Sequence, residues 1–191
     1  MTDGPRIFYL LYDGYAGFEL VFVANILKDR SSATVGFGKE PVRSLEKLST
    51  VVDLDIEELD PKDVDLLVIP GGVPANIISD PSMKDRVEVL VSKLKAIHEG
   101  GGKLAAICGG PDFLAHAGIL DGKRCTHNVD RPGPSFDKTV FTGEYVTVDG
   151  NVITGQGQAY PEFAIEVGKA MGVYKTETEA QDDLDWLRDR K

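Results

Sequence analysis

Residues 103–118 read KLAAICGGPDFLAHAG, and the reading of this stretch decides the fold. A short apolar run, 104–107, follows three glycines at 100–102 and is closed by Gly109 and Gly110. An apolar run of this length between turn signals is the pattern of a strand buried on both faces, although periodicity alone leaves a buried helix segment open. Pro111 suits the first position of a helix, and Asp112 puts a carboxylate in the first turn, where the helix dipole favours it. Cys108 stands between the two, where the chain must reverse sharply. A side chain on such a strand-to-helix turn projects from the sheet edge with a helix N-terminus behind it, and those conditions turn a thiol into a thiolate. The opposing reading is an inert core thiol, because free cysteine is among the most buried residue types.

Outward from this turn, the chain alternates strands and helices. Residues 6–12 form an apolar first strand broken by Asp13 and Gly14, and 18–30 a mostly buried helix. A second strand is expected at 31–38 and a small β excursion within 45–59. Residues 64–69, VDLLVI, are another buried strand ending in Pro70-Gly71-Gly72, and 81–99 a helix with apolar residues in helical spacing. Residues 125–127 suggest a short strand, 140–154 a hairpin through Asp149-Gly150, and 159–171 a helix. The charged tail, 177–191, is expected to form a terminal helix that packs through Leu184, Trp186 and Leu187. This alternation predicts an α/β protein, a mostly parallel sheet with helices on both faces, organised as a single domain over 1–191. In such sheets the site lies at the carboxyl ends of the strands, so the loops at 13–19, 70–76 and 108–112 should meet there.

Thirty-one Asp plus Glu against 21 Lys plus Arg give a net charge of −10, which argues against a partner made of nucleic acid or an anionic membrane surface. Two cysteines make no disulfide scaffold, and the N-terminus enters an apolar strand without the layout of a secretory signal. No apolar run reaches 18 residues. A cytoplasmic location is the expectation. The three histidines and two cysteines show no zinc spacing, so neither a metal nor another cofactor is expected.

Several groups qualify as companions of Cys108. Glu19 is embedded in Phe18, Leu20, Val21 and Phe22. Burial there raises a carboxyl pKa, and a protonated Glu can donate a hydrogen bond to a thiolate or sulfinate. The plainer reading is a first-turn carboxylate facing water. The N–H of Gly72 and that of Gly109 are candidates for an oxyanion hole. His127 is the base candidate, leading into the loop 128–135, although a lone His in that setting is more often structural. His98 suits a helix C-terminus as a cation, and His116 lies roughly 12 Å along the helix from Cys108. Cys125 shares a strand face with His127, either as a resolving thiol or as a small buried residue.

With AAICGGP at 105–111, LLVIPGG at 66–72, the run ending in Glu19, the TH pair at 126–127 and DGNVITGQGQAYPEFAIEVGKAMG at 149–172, the chain resembles the ThiJ/PfpI superfamily over about residues 6–173. The resemblance implies a flavodoxin-like three-layer sandwich, usually a homodimer. It also implies Cys108 as nucleophile, Glu19 as its protonated partner, and Gly72 and Gly109 as backbone oxyanion donors. The protease-like subgroup has a His directly after the cysteine, where this chain has Gly109. The isocyanide hydratase branch has Thr there and Asp as the acid. The deglycase-like branch, with a small residue after the cysteine and the TH pair, is the nearest at these positions. The function expected is addition of Cys108 to a small-molecule carbonyl such as a 2-oxoaldehyde, with Glu19 and His127 moving protons. The alternatives are an oxidative-stress sensor or chaperone switched by Cys108 oxidation and, after it, a cysteine peptidase or amidase.

Overall fold

The computed structural model describes residues 6–188. Seven strands form one sheet in the order β10-β11-β7-β6-β1-β2-β5. In chain order, the first two are β1 (Ile7–Leu11) and β2 (Ser32–Gly36). The small excursion follows as β3 (Val42–Arg43), β4 (Ser49–Thr50) and β5 (Leu54–Asp55). Then come β6 (Leu66–Ile69), β7 (Lys103–Ile107), β8 (Arg124–Cys125), β9 (Val140–Phe141), β10 (Val146–Asp149) and β11 (Val152–Gly155). All pairings in the large sheet are parallel except β10 with β11, an antiparallel edge hairpin. Every residue of β1, β6 and β11 is buried, as parallel strands covered on both faces require.

Among the described residues six α-helices provide that cover: α1 (Phe18–Ile26), α2 (Pro74–Ile78), α3 (Lys84–Glu99), α4 (Pro111–His116), α5 (Tyr160–Ala170) and α6 (Glu177–Leu187). α1, α5 and α6 pack in sequence on one another, while α2, α3 and α4 form a second group. The result is the flavodoxin-like α/β sandwich. Strand order reverses between β1 and β6, so the loops after β1, β6 and β7 converge at one edge. No helix of the described residues is long and apolar enough to cross a membrane.

Local readings needed correction where tertiary contacts override pattern. α1 stops at Ile26, and its apolar outer face is open, with Phe18 46% and Val21 60% exposed. The expected hairpin over 140–154 is smaller, because β9 leaves it to pair in parallel with β8, and the turn is made by Gly150 at φ 62°. His127 falls outside the short strand, which ends at Cys125. α2 was not legible, although Pro74 at its first position is the signal that starts it. In the last turn of α3, burial and then Lys123 lower the pKa of His98. In the tail helix the small Ala180 is the buried contact, whereas Trp186 is 75% exposed. Residues 189–191 of that expected helix lie outside the described residues.

Candidate active site

β7 delivers Cys108 to the switch-point edge in a conformation that few side chains adopt. Its φ is 60°, and the only other described non-glycine residue at positive φ is Lys47. Such strain persists where the surroundings fix it. Here the Cys108 N–H donates to Gly155 O at 2.8 Å and its carbonyl accepts from Asn128 N at 2.8 Å. The N–H of Gly110 closes the turn on Ile107 O at 2.8 Å, and Pro111 starts α4.

Around the sulfur the packing is tight on two sides. A Cβ on Gly71 would stand 2.5 Å from Cys108 Cβ and 2.9 Å from both its Sγ and Glu19 Oε2. A Cβ on Gly157 would stand 3.0 Å from Sγ and 3.1 Å from Glu19 Oε1. The thiol and the carboxyl therefore share a slot walled by two glycines, and only glycine leaves room for both groups. The N–H groups of Gly109 and Gly72 are directed at the sulfur and act to lower its pKa. Gly72 needs φ 117°, and a Cβ there would collide with the carbonyl of Gly14.

Glu19 is fully buried. Its Oε2 accepts the N–H of Gly71 at 2.6 Å, while Oε1, against the Gly157 wall that the sulfur also touches, receives no hydrogen bond from any described residue. A carboxylate oxygen buried without a donor is costly, and a proton on Oε1 removes that cost by making it a donor toward sulfur. Burial raises Glu19 to about 7, partly offset by the Gly71 N–H. Burial also raises Cys108 to about 11, helped by the charge of Glu19 and opposed by the Gly109 and Gly72 N–H groups. These two steps belong to the pair. Near neutrality it loses one proton and carries one negative charge, either as thiol and carboxylate or as thiolate and carboxylic acid. Two backbone donors at sulfur against one at Oε2, with Oε1 unpartnered, favour the thiolate arrangement.

The remaining expected residues are placed differently. The imidazole of His127 lies between Phe136 and Phe141, with ring centroids at 4.5 and 4.8 Å. Its Nδ1 accepts the N–H of Val129 at 3.2 Å, burial lowers its pKa, and the two phenyl rings are tilted against it by 53° and 44°. The structure does not bring it into hydrogen bonding with Cys108 or Glu19. Cys125 is completely buried near Thr139, with burial raising its pKa, the situation of a core thiol.

Three residues were not singled out in the sequence. Tyr12, the residue after β1, is buried and its hydroxyl donates to Gly71 O at 2.6 Å and Pro70 O at 3.0 Å, which fixes the loop carrying the Gly71 and Gly72 N–H groups. Asn128 accepts the N–H of Gly157 through Oδ1 and so ties the glycine wall to the elbow. Gly157 stands two residues past a buried strand, a signal comparable to Gly72.

A cavity of about 380 Å³ opens beside the elbow, lined by Gly72, Gly109, Asp112 and residues 128–131. It suits a ligand of modest size with polar anchors. Among the described residues no group of three His, Cys, Asp or Glu side chains is arranged to hold a metal ion.

Comparison with known proteins matches residues 5–170 to the model of the DJ-1/PfpI family. A deglycase of Thermococcus kodakarensis is 28% identical over 154 residues, 79% of this chain and 89% of the relative. The uncharacterised protease YoaZ of Bacillus subtilis is 29% identical over 183 residues, 90% of this chain and 84% of the relative. Among solved structures, a DJ-1 superfamily protein of Agrobacterium tumefaciens superposes with a TM-score of 0.81 at 25% identity, covering 96% of this chain and 97% of the other.

Proposed function

Since this chain belongs to the DJ-1/PfpI family, we propose that it is an enzyme in which Cys108 adds to a small reactive carbonyl, a 2-oxoaldehyde or the adduct of one. One observation carries the reading: a cysteine at φ 60° shares a slot with a buried carboxyl oxygen without a donor and with two backbone N–H groups. The sulfur attacks the aldehyde carbon, the C–S bond forms, and the carbonyl electron pair moves to oxygen. The N–H groups of Gly72 and Gly109 are positioned to share that charge, and Glu19 supplies the proton that completes a hemithioacetal. A deglycase among the relatives supports this substrate class. The test is turnover of methylglyoxal, phenylglyoxal, glycated thiols and amide substrates by wild type and Cys108→Ser side by side. Full turnover by Cys108→Ser sinks the proposal.

The same unpartnered Glu19 Oε1 supports a second reading, in which Cys108 is oxidised to a sulfinate that the protonated carboxyl holds. Intact mass after mild peroxide decides it, since failure to gain two oxygens at Cys108 removes it. The peptidase reading is the weakest. Gly109 stands where a basic neighbour would be needed, and His127 packs between Phe136 and Phe141 without a hydrogen bond to Cys108.

The homodimer is part of the proposal. Phe18 and Val21 leave an apolar face on the helix that carries Glu19, and Leu45 and Leu48 are exposed in the turn whose Glu46 accepts the N–H of Gly17. A second copy over this face predicts that Val21→Glu shifts the sedimenting species to monomer.

A further inference from the structure

The proposed reaction needs a second group to handle protons, because conversion of a hemithioacetal to a hydroxy acid moves a hydrogen from one carbon to the next. Glu19 shares a slot with the sulfur, and His127 packs against Phe136 and Phe141 with its Nδ1 taken by the Val129 N–H. The cavity that contains Gly72 and Gly109 also contains Asp112, with Asn128, Asp130 and Arg131 on the facing loop. Asp112 sits in the first turn of α4, where its own N–H donates to Gly109 O at 3.0 Å. Its side chain is partly buried, yet its carboxylate accepts no hydrogen bond and joins no ion pair among the described residues. A carboxylate held in a cavity wall without a structural partner, beside two N–H groups aimed at the nucleophile, has the placement of a general base.

We propose that Asp112 is the catalytic residue that transfers the carbon-bound proton of the Cys108 hemithioacetal. The proposal rests on the reading of Cys108 as the nucleophile toward 2-oxoaldehydes. Asp112 takes the proton from the carbon bonded to sulfur, and the released electron pair forms a C=C bond while the neighbouring ketone pair moves to its oxygen. The hydroxyl proton on the first carbon's oxygen passes to that second oxygen, and Asp112 returns its proton to the second carbon. The product is a thioester of a 2-hydroxy acid. The carbon at sulfur has been oxidised and its neighbour reduced, so no outside oxidant enters. Water then cleaves the C–S bond, releasing the hydroxy acid and restoring the thiol.

Burial raises the proton affinity of Asp112, with His116 on the same helix opposing, which is the direction a proton acceptor needs. Asp130 and Arg131 line the same cavity, His116 is the charged group that acts on Asp112, and Tyr12 lies within reach of its field.

The experiment compares wild type, Cys108→Ser, Asp112→Asn and Asp112→Glu on methylglyoxal and phenylglyoxal, with iodoacetamide alkylation of Cys108 as the check on the elbow. Asp112→Asn is expected to lose about a hundredfold or more in turnover. Its alkylation rate should stay within about twofold of wild type, it should accumulate the substrate adduct on Cys108 by intact mass, and Asp112→Glu should recover part of the rate. Full turnover by Asp112→Asn, beside an inactive Cys108→Ser, overturns the role of Asp112 and leaves the nucleophile standing. A loss of turnover matched by an equal loss of alkylation also overturns it, as the mark of a merely structural residue. No turnover by wild type, or full turnover by Cys108→Ser, removes both.

Discussion

Cys108 and Cys125 lie 17 residues apart, and burial raises the pKa of both thiols. The difference is what surrounds them. Cys125 ends the two-residue strand β8 with its own side chain buried near one threonine, and nothing around it favours the charged form beyond that contact. Cys108 is at positive φ, faced by two N–H groups and walled in with a carboxyl that can take its proton. Burial alone silences a thiol; burial together with directed donors and an internal proton acceptor stores reactivity.

The largest test of this contrast is substitution at the two positions. Cys108→Ser should lower turnover by at least about a thousandfold. Cys125→Ala should leave turnover intact and cost about 1 kcal/mol of stability, read from a urea unfolding curve. Equal loss at both sites would erase the distinction.

Next is the cost of keeping Glu19 beside Cys108. Its folded pKa is about 7 against an ordinary 4.5, so the folded state holds a proton that the unfolded chain releases. Stability from this group is fully present below pH 4.5 and falls as pH rises toward 7, by about 3 kcal/mol in all. Glu19→Gln should therefore match wild type near pH 4.5 and exceed it at pH 8 in urea midpoint. The same variant should move the alkylation midpoint of Cys108, because the charge and the hydrogen bond through which Glu19 acts on the thiol are removed. An unchanged midpoint would mean that Glu19 is not the partner.

Smaller effects come from the frame. Gly157→Ala puts a Cβ 3.0 Å from Sγ, and displacement of the sulfur should cost about 2 kcal/mol in transition-state stabilisation, read as kcat/KM. Tyr12→Phe removes the hydrogen bonds to Pro70 O and Gly71 O and should cost about 1 kcal/mol of stability. It should also slow alkylation of Cys108 while leaving Cys125 untouched, because the loop it holds aims donors at one thiol alone.

The elbow was legible in the sequence because its determinants are local: the apolar run 104–107, two glycines and Pro111 lie within a dozen residues. Gly72 and Glu19 could be nominated because each follows a strand that must end at the same edge. The slot itself was not legible. Gly157 meets Cys108 from 49 positions away, through Asn128, and no local pattern encodes a contact between distant loops. The orientation of His127 depends on Phe136 and Phe141, which come from later segments, so the TH pair fixed its position but not its partner. The exposed Trp186 follows from the small Ala180 seating the helix, a choice of face that the charged tail leaves ambiguous.

The bond from Cys108 N–H to Gly155 O and the wall at Gly157 have a consequence for synthesis of the chain. During translation the cysteine emerges about 50 residues before these two glycines, and the carboxyl of Glu19 and the N–H of Gly72 join it only through long-range pairing, the slow class of folding contact. Until β11 docks on β7, the thiol lacks the Gly157 wall and its backbone lacks the Gly155 anchor. The nascent chain therefore carries a cysteine whose slot is unfinished, and its special chemistry switches on only when the fold is complete.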